Sequence, residues 1–304
     1  MKLAVEFPSV VYREGGEAVW KLAQAIERIG FDEIDMFDHV VMGYPTPTRD
    51  APRYPPKMPI MEALTMLAFI ASATKRVGLG TEVLVLPQRQ PTLVAKQIST
   101  LDTLSGGRVR LGIGVGWQEA EFEALGESFT NRGRRTDEAI ALLRAYFGEE
   151  RVDFKGKYYT ADAIAMEPKP PQGARLPIWV GGASPAALER VGKLSDGWLA
   201  TAYARNDRAA TARRTIEASA AAAGRDPKAI GTQTMFDIPP TDAAGKAFYS
   251  NREAVVARAH QIAEQGFDWA AINATALFQS GARTVSAMID ALGDLHARIR
   301  KETG

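Results

Sequence analysis

The sequence predicts a closed barrel of eight parallel strands, each followed by a helix. Short apolar runs alternate with segments of helical period from end to end, eight times over. Those runs are apolar enough to be buried on both faces, which is what a parallel sheet requires. A chain of 304 residues then has room for eight units to close into one (β/α)8 barrel, a single α/β domain over 1–304. An open doubly wound sheet is the alternative topology.

The first unit pairs LAVEF (3–7) with a helix carrying Ala18, Val19, Leu22, Ala23, Ile26 and Ile29 on one face. FDEIDMFDH (31–39) holds the second strand, with its helix over 60–74. RVGLGTEVLVL (76–86) precedes a helix over 92–104, and RVRLGIGVG (108–116) precedes helical segments over 118–125 and 132–147. PIWVGG (177–182) leads into a helix opening at Ser184-Pro185, where serine can cap and proline suits the first turn. DGWLAT (196–201) precedes a helix over 207–223, and AIGTQTMFDI (229–238) one over 252–265. GFDWAAINA (266–274) precedes a last helix with Val285, Met288, Ile289, Leu292, Leu295 and Ile299 on one stripe.

Two insertions interrupt this rhythm. GYPTPTRDAPRYPPKMP (43–59) follows the second strand, on the rim where barrel active sites assemble, and reads equally as a lid or a rigid surface loop. Residues 150–177 carry a hairpin signal around Lys155-Gly156-Lys157. Both are expected to take part in selecting the substrate.

With 37 basic and 36 acidic side chains, nothing points to nucleic acid or a membrane surface, and a small-molecule substrate is the expected partner. The absence of cysteine excludes disulfides, thiolate metal sites and cysteine nucleophiles. No run approaches the roughly 18 apolar residues of a membrane helix, and the N-terminus does not read as a signal peptide, so a soluble cytoplasmic protein is expected. No His/Asp/Glu cluster has metal-ligand spacing, and no G-x-S-x-G or Walker loop occurs.

The glycines at 112, 114 and 116 follow a strand, as in a dinucleotide fingerprint. The third comes one residue too soon, however, and the run sits at the fourth strand rather than the first. Glycines inside a barrel strand either let something flat approach the backbone or make room for bulky interior neighbours.

LSGGRVRLGIGVGWQEAEFEALG, PIWVGGASPAALERVGKLSDGW, GFDEIDMFDHVV and VGLGTEVLVLPQRQPTLVAKQISTLDTLSGGR together resemble the bacterial luciferase-like monooxygenase superfamily, most nearly its branch that uses the deazaflavin coenzyme F420. The resemblance runs from Leu3 to about Trp198 and more weakly beyond. It implies a luciferase-like TIM barrel, a homodimer, and a flavin or deazaflavin bound at the C-terminal ends of the strands. The expected activity is hydride transfer between F420 C5 and a small organic substrate, in a direction the residues leave open. An FMN-dependent monooxygenase using reduced flavin is the alternative, and a non-catalytic flavin-binding barrel a third. A cofactor-free isomerase or aldolase would need a lysine or paired carboxylates on the strand ends, and none of the eight predicted strands carries a lysine.

Asp38-His39 closes the second strand on the rim. From the residues alone, His39 is as readily a proton carrier as a strand-end histidine whose tautomer Asp38 fixes. The resemblance implies that this step lies beside the hydride-exchanging ring, with His39 exchanging a proton with substrate. It likewise implies that Thr81, Glu82 and Val83 form a backbone bulge, often with a cis non-proline peptide, packed against that ring. A small residue is usual there, so Glu82 is a departure: it contacts cofactor, reaches substrate, or marks a bulge one residue away. Gly181, Gly182 and Ser184 make either an ordinary capped turn or, as the resemblance implies, a seat for the cofactor phosphate. Gly114, Val115, Gly116 and Trp117 would line the same tail or the ring edge. In sugar-phosphate dehydrogenase relatives a glutamate follows the glycine where Trp117 stands, which removes that residue from a glucose-phosphate-type mechanism. Glu6 reads as a rim contact or a solvated strand end. Arg132, Arg134, Arg135, Asp137 and Glu138 read as a helix-start ion-pair network, and Arg49, Arg53 and Arg89 as loop cations at the mouth, able to meet an acidic cofactor tail.

Overall fold

The structure, a computed structural model, describes residues 1–200, 208–236 and 247–303. Eight parallel strand positions form the barrel: β1 (Lys2–Glu6), β2 (Glu33–Met36), β3 (Gly78–Thr81), β5 (Val109–Gly114), β8 (Ile178–Gly181), β9 (Gly197–Ala200), β10 (Gly231–Met235) and β11 (Trp269–Asn273). Their order is β3-β2-β1-β11-β10-β9-β8-β5, and pairing of Leu79 with Val109 and Gly80 with Arg110 closes the ring. The short β4 (Leu84–Val85) resumes the line of β3 after a two-residue break and pairs with Ile113 and Gly114 of β5.

Each strand returns through the outer helices α1 (Gly16–Ile29), α2 (Ala63–Ala73), α3 (Pro91–Ser105), α4 (Glu119–Ala124), α5 (Arg132–Gly148), α6 (Pro185–Leu194), α7 (Arg208–Ala222) and α8 (Arg252–Glu264). After β11 come α9 (Ala274–Gln279), capped by Asn273, and α10 (Val285–Thr303). The expected Ser184 cap is present, accepting from the Ala187 amide at 3.3 Å with Pro185 in the first turn. Of the predicted elements, the ends at Thr201, Asp207, Asp237 and Ile238 lie outside the described residues.

The strands alternate in a way that their apolar look conceals. Leu3, Val5, Ile34, Met36, Leu111 and Ile113 pack outward into the main core against the helices. Their alternates face the barrel interior, and there β2, β5 and β10 bring Glu33, Asp35, Arg110 and Gln233, each buried. The expectation of strands apolar on both faces therefore fails for these three, and for β1, whose Glu6 is likewise buried in the interior. Arg110 makes the polar filling tenable: it pairs with Glu33, donates to Gln233, and lies between the rings of Trp179 and Trp269 at 4.3 and 4.8 Å. A second correction concerns lysine. β1 begins one residue earlier than expected, at Lys2, but this side chain is exposed over Trp269, at the end of the strand away from the rim.

Candidate active site

A cavity of about 280 Å³ opens at the C-terminal ends of the strands. Its lining brings together Asp38, His39, Glu82, Val83, Gly114, Val115, Gly116, Trp117, Gly181 and Gly182 with Phe37, Arg53, Tyr54, Val85 and Leu199. Thr81 and Ser184 are absent from the lining. The Thr81 hydroxyl is buried and donates to the Gly112 carbonyl at 2.6 Å, and Ser184 serves its helix cap.

His39 is held by a residue that sequence reading missed. Its Nδ1 lies 2.9 Å from Oε2 of Glu121, whose Oε1 accepts the Val40 amide at 2.8 Å, while the Gln88 side chain donates to Oε2 at 3.3 Å. Burial pushes the Glu121 carboxyl up, but the bonds from His39, Gln118 and Gln88 outweigh it and hold the group below its ordinary value. With Glu121 engaging Nδ1, Nε2 is the ring nitrogen left to exchange a proton with a bound molecule. The signal was available: on α4, Glu121 shares a helical face with Gln118, Phe122 and Leu125, a carboxylate in an apolar stripe just past a rim strand.

Asp38 does not touch the imidazole-orienting nitrogen. It accepts two bonds from Arg89, at 2.7 and 2.8 Å, and the Val85 amide at 3.0 Å. Burial pushes its carboxyl up and Arg89 opposes that. The pair ties the end of β2 to the segment after β4, and so fixes the backbone that presents His39. Of the three mouth arginines, Arg89 is thus committed to Asp38 and Arg49 to Glu123 at 2.5 Å; Arg53 alone of the three lines the cavity. Above His39 stands an aromatic wall, with Tyr54 and Trp117 ring centroids 5.6 and 5.3 Å from the imidazole and Arg53 over Trp117.

The glycines of β5 and β8 find their reason in the β3–β4 break. The peptide between Glu82 and Val83 is cis, at the position assigned by resemblance to the bulge. A Cβ on Gly112 would overlap the Thr81 carbonyl oxygen, and one on Gly114 or Gly181 would sit 2.6 or 2.7 Å from a Val83 methyl. The glycines therefore admit the bulge, and the bulge in turn presents Val83 to the cavity as an apolar face. Gly116 adds a left-handed turn, φ +75°, where the chain leaves β5 for α4.

Beneath the cavity lies the polar filling of the barrel. Glu6 is buried rather than solvated, and burial with the nearby Asp35 charge pushes its carboxyl up to about 8. The basic and acidic residues opening α5 do not pair among themselves as expected. Arg132 donates to the Gly116 carbonyl at 3.2 Å, Arg135 pairs with Glu127 and Asp137 with Arg190, and Glu138 caps the hairpin of the second insertion. Among the described residues no acidic or histidine cluster could hold a metal, and no helix is long and apolar enough to cross a membrane.

The chain matches the luciferase-like monooxygenase family over residues 4–296. It is 29% identical over 264 residues to the FMNH2-dependent dimethylsulfone monooxygenase of Pseudomonas putida, covering 86% of this chain and 68% of that one. It is 32% identical over 227 residues to the F420-dependent hydroxymycolic acid dehydrogenase of Mycobacterium tuberculosis, covering 73% and 59%. The chain thus spans between 59% and 68% of the length of these curated relatives. In fold it is similar to the solved F420-dependent secondary alcohol dehydrogenase in complex with an F420–acetone adduct, with a TM-score of 0.76 at 20% identity over 98% of this chain and 99% of the other. Fold and sequence agree: this chain belongs to the luciferase-like monooxygenase family, whose relatives here are oxidoreductases using F420 or FMN.

Proposed function

We propose that this single-domain barrel is an F420-dependent oxidoreductase acting on a small organic substrate in the cavity above Val83. The observation that carries the reading is His39 in that cavity, with one ring nitrogen engaged by a buried carboxylate and the other left for substrate. The residues present suit a flat ring: the apolar face of Val83 is set between glycines 114 and 181 and bordered by Leu199 and Val85. The turn at Gly181 and Gly182, running into the N-terminus of α6, offers amides suited to a phosphate. When bound, the deazaflavin supplies a carbon that accepts or donates hydride. The protein's part is to position substrate against the aromatic wall, exclude water, and exchange the substrate proton at Nε2 of His39, with Glu121 fixing the ring and Asp38 the backbone behind it.

An FMN-dependent monooxygenase is the second reading, favoured by the FMNH2-dependent relative that covers most of the chain. Turnover of F420 against a panel of alcohols and activated alkenes, beside oxygen uptake with reduced FMN, separates the two. Under the first reading His39→Asn lowers F420 turnover by about 100- to 10,000-fold with cofactor affinity retained. Oxygen uptake alone, or a histidine variant that turns over like wild type, contradicts it.

A further inference from the structure

Four carboxyl groups, Glu6, Glu33, Asp35 and Glu82, are buried in the barrel interior, and among the described residues one arginine, Arg110, faces them. Glu6 stands on β1, Glu33 and Asp35 on β2, Arg110 on β5 and Gln233 on β10, with Glu82 in the break after β3. One guanidinium cannot neutralise four carboxylates in such a place. Burial pushes Glu82 well above its ordinary value, the charges of Asp35 and Glu6 add to this, and Arg110 and Gln233 oppose it.

Gln233 determines where the Glu82 proton can sit. Its side-chain oxygen accepts from Arg110 at 2.6 Å, so the amide cannot turn over without setting donor against donor. Its nitrogen therefore points the other way and donates to Asp35 Oδ2 and Glu82 Oε2, each at 2.9 Å. Oε2 of Glu82 is an acceptor in use, which leaves Oε1 to carry the proton. Oε1 is buried and has no partner among the described residues, while Glu82 itself lines the cavity directly before Val83.

We infer that Glu82 is a neutral carboxylic acid whose Oε1 hydroxyl donates a hydrogen bond to an acceptor of the bound flavin or deazaflavin ring, so that ring affinity falls when Glu82 ionises. The inference rests on the reading that the cavity takes such a ring. It gives the departure at position 82 a purpose: this chain places there a carboxyl donor whose presence depends on pH.

The protein is titrated with FMN and with F420 from about pH 6 to about pH 10, following tryptophan fluorescence, in wild type, Glu82→Gln and Glu82→Met. Glutamine keeps the shape and a permanent donor, whereas methionine keeps only the bulk. Wild type should lose about tenfold in affinity relative to Glu82→Gln across the range. Titrations of the ligand and of His39 are common to both proteins and cancel in that ratio. Glu82→Met should bind weakly throughout. Without ligand, an infrared difference spectrum of wild type against Glu82→Gln at neutral pH should contain the carbonyl stretch of a protonated carboxylic acid. Parallel pH profiles for wild type and Glu82→Gln, as a proton shared with Glu6 would produce, overturn the inference, and so does the absence of that band. Failure of wild type to bind either ring overturns the underlying reading and takes the inference with it.

Discussion

The two insertions look alike in sequence and are used differently by the fold. Residues 43–59 leave the C-terminal end of β2 and fold over the cavity, where Arg53 and Tyr54 line it and the Gly43 amide is tied to Gln118 at 2.8 Å. Residues 150–177 leave the end of a helix and enter β8 from its opposite end. They form the antiparallel β6 (Val152–Lys155) and β7 (Thr160–Ile164) and pack on the outer layer; none of them lines the cavity. The expectation that both select substrate is therefore corrected for the second. What distinguishes the two is the end of the barrel from which the chain departs: a loop after a strand reaches the rim, and a loop after a helix does not.

The largest effect that sharpens this contrast should come from the second insertion. Both Glu138 carboxyl oxygens accept amides from the hairpin turn, at 2.8 Å from Lys157, 2.8 Å from Tyr158 and 2.6 Å from Tyr159. Glu138→Ala strands those donors and should cost about 1–3 kcal/mol in thermal or denaturant unfolding, leaving KM of the folded enzyme unchanged. A shifted KM would return this insertion to the site. Next in size, Tyr54→Ala in the first insertion should raise substrate KM about tenfold with little change in melting temperature. An unchanged KM would reduce that insertion to a cover.

Solution pH should separate the regions by sign. Glu6, raised from 4.5 to about 8 by burial and Asp35, binds its proton more tightly in the folded protein. Its contribution to stability is complete below the ordinary carboxylate range and is lost as pH rises toward 8. Asp153 of the hairpin is held below its ordinary value by hydrogen bonds from Arg151 and the Ala163 amide, so its smaller contribution is present near neutrality and lost in acid. Melting temperature should thus fall from mildly acid to alkaline pH, and Glu6→Gln should flatten that slope while leaving the acid limb intact. Glu33 and Glu82, also raised by burial, keep part of the slope in that variant, and a slope wholly unchanged in Glu6→Gln assigns the alkaline loss to them.

Much of the barrel was legible because packing against helices leaves a simple signature. All eight strands were read from outward residues such as Ile34, Met36, Leu111 and Ile113. The inward alternates were harder, since the reading of glycines 112 and 114 depends on what stands on the neighbouring β3–β4 line. Their space is filled by the Thr81 carbonyl and Val83, which no local pattern reports. At the rim, His39 follows from its position after a strand and Trp117 from the family resemblance, and both line the cavity. Glu121 and Gln233 were missed because their roles are bonds across 82 and 151 residues of chain, to His39 and Glu82. The three mouth arginines were indistinguishable in sequence for the same reason: Asp38 and Glu123 claim two of them through the fold.

The most direct test of the account is a fluorescence titration of the purified protein with F420 and FMN side by side, repeated with Trp117→Phe. The account predicts micromolar or tighter F420 binding, weaker FMN binding, and a loss of part of the quenching in the variant, since Trp117 borders the cavity. Tight FMN binding with weak F420 would move the chain to the oxygen-using side of its family. Binding of neither would contradict the claim that the cavity above Val83 is built for a flavin-type ring.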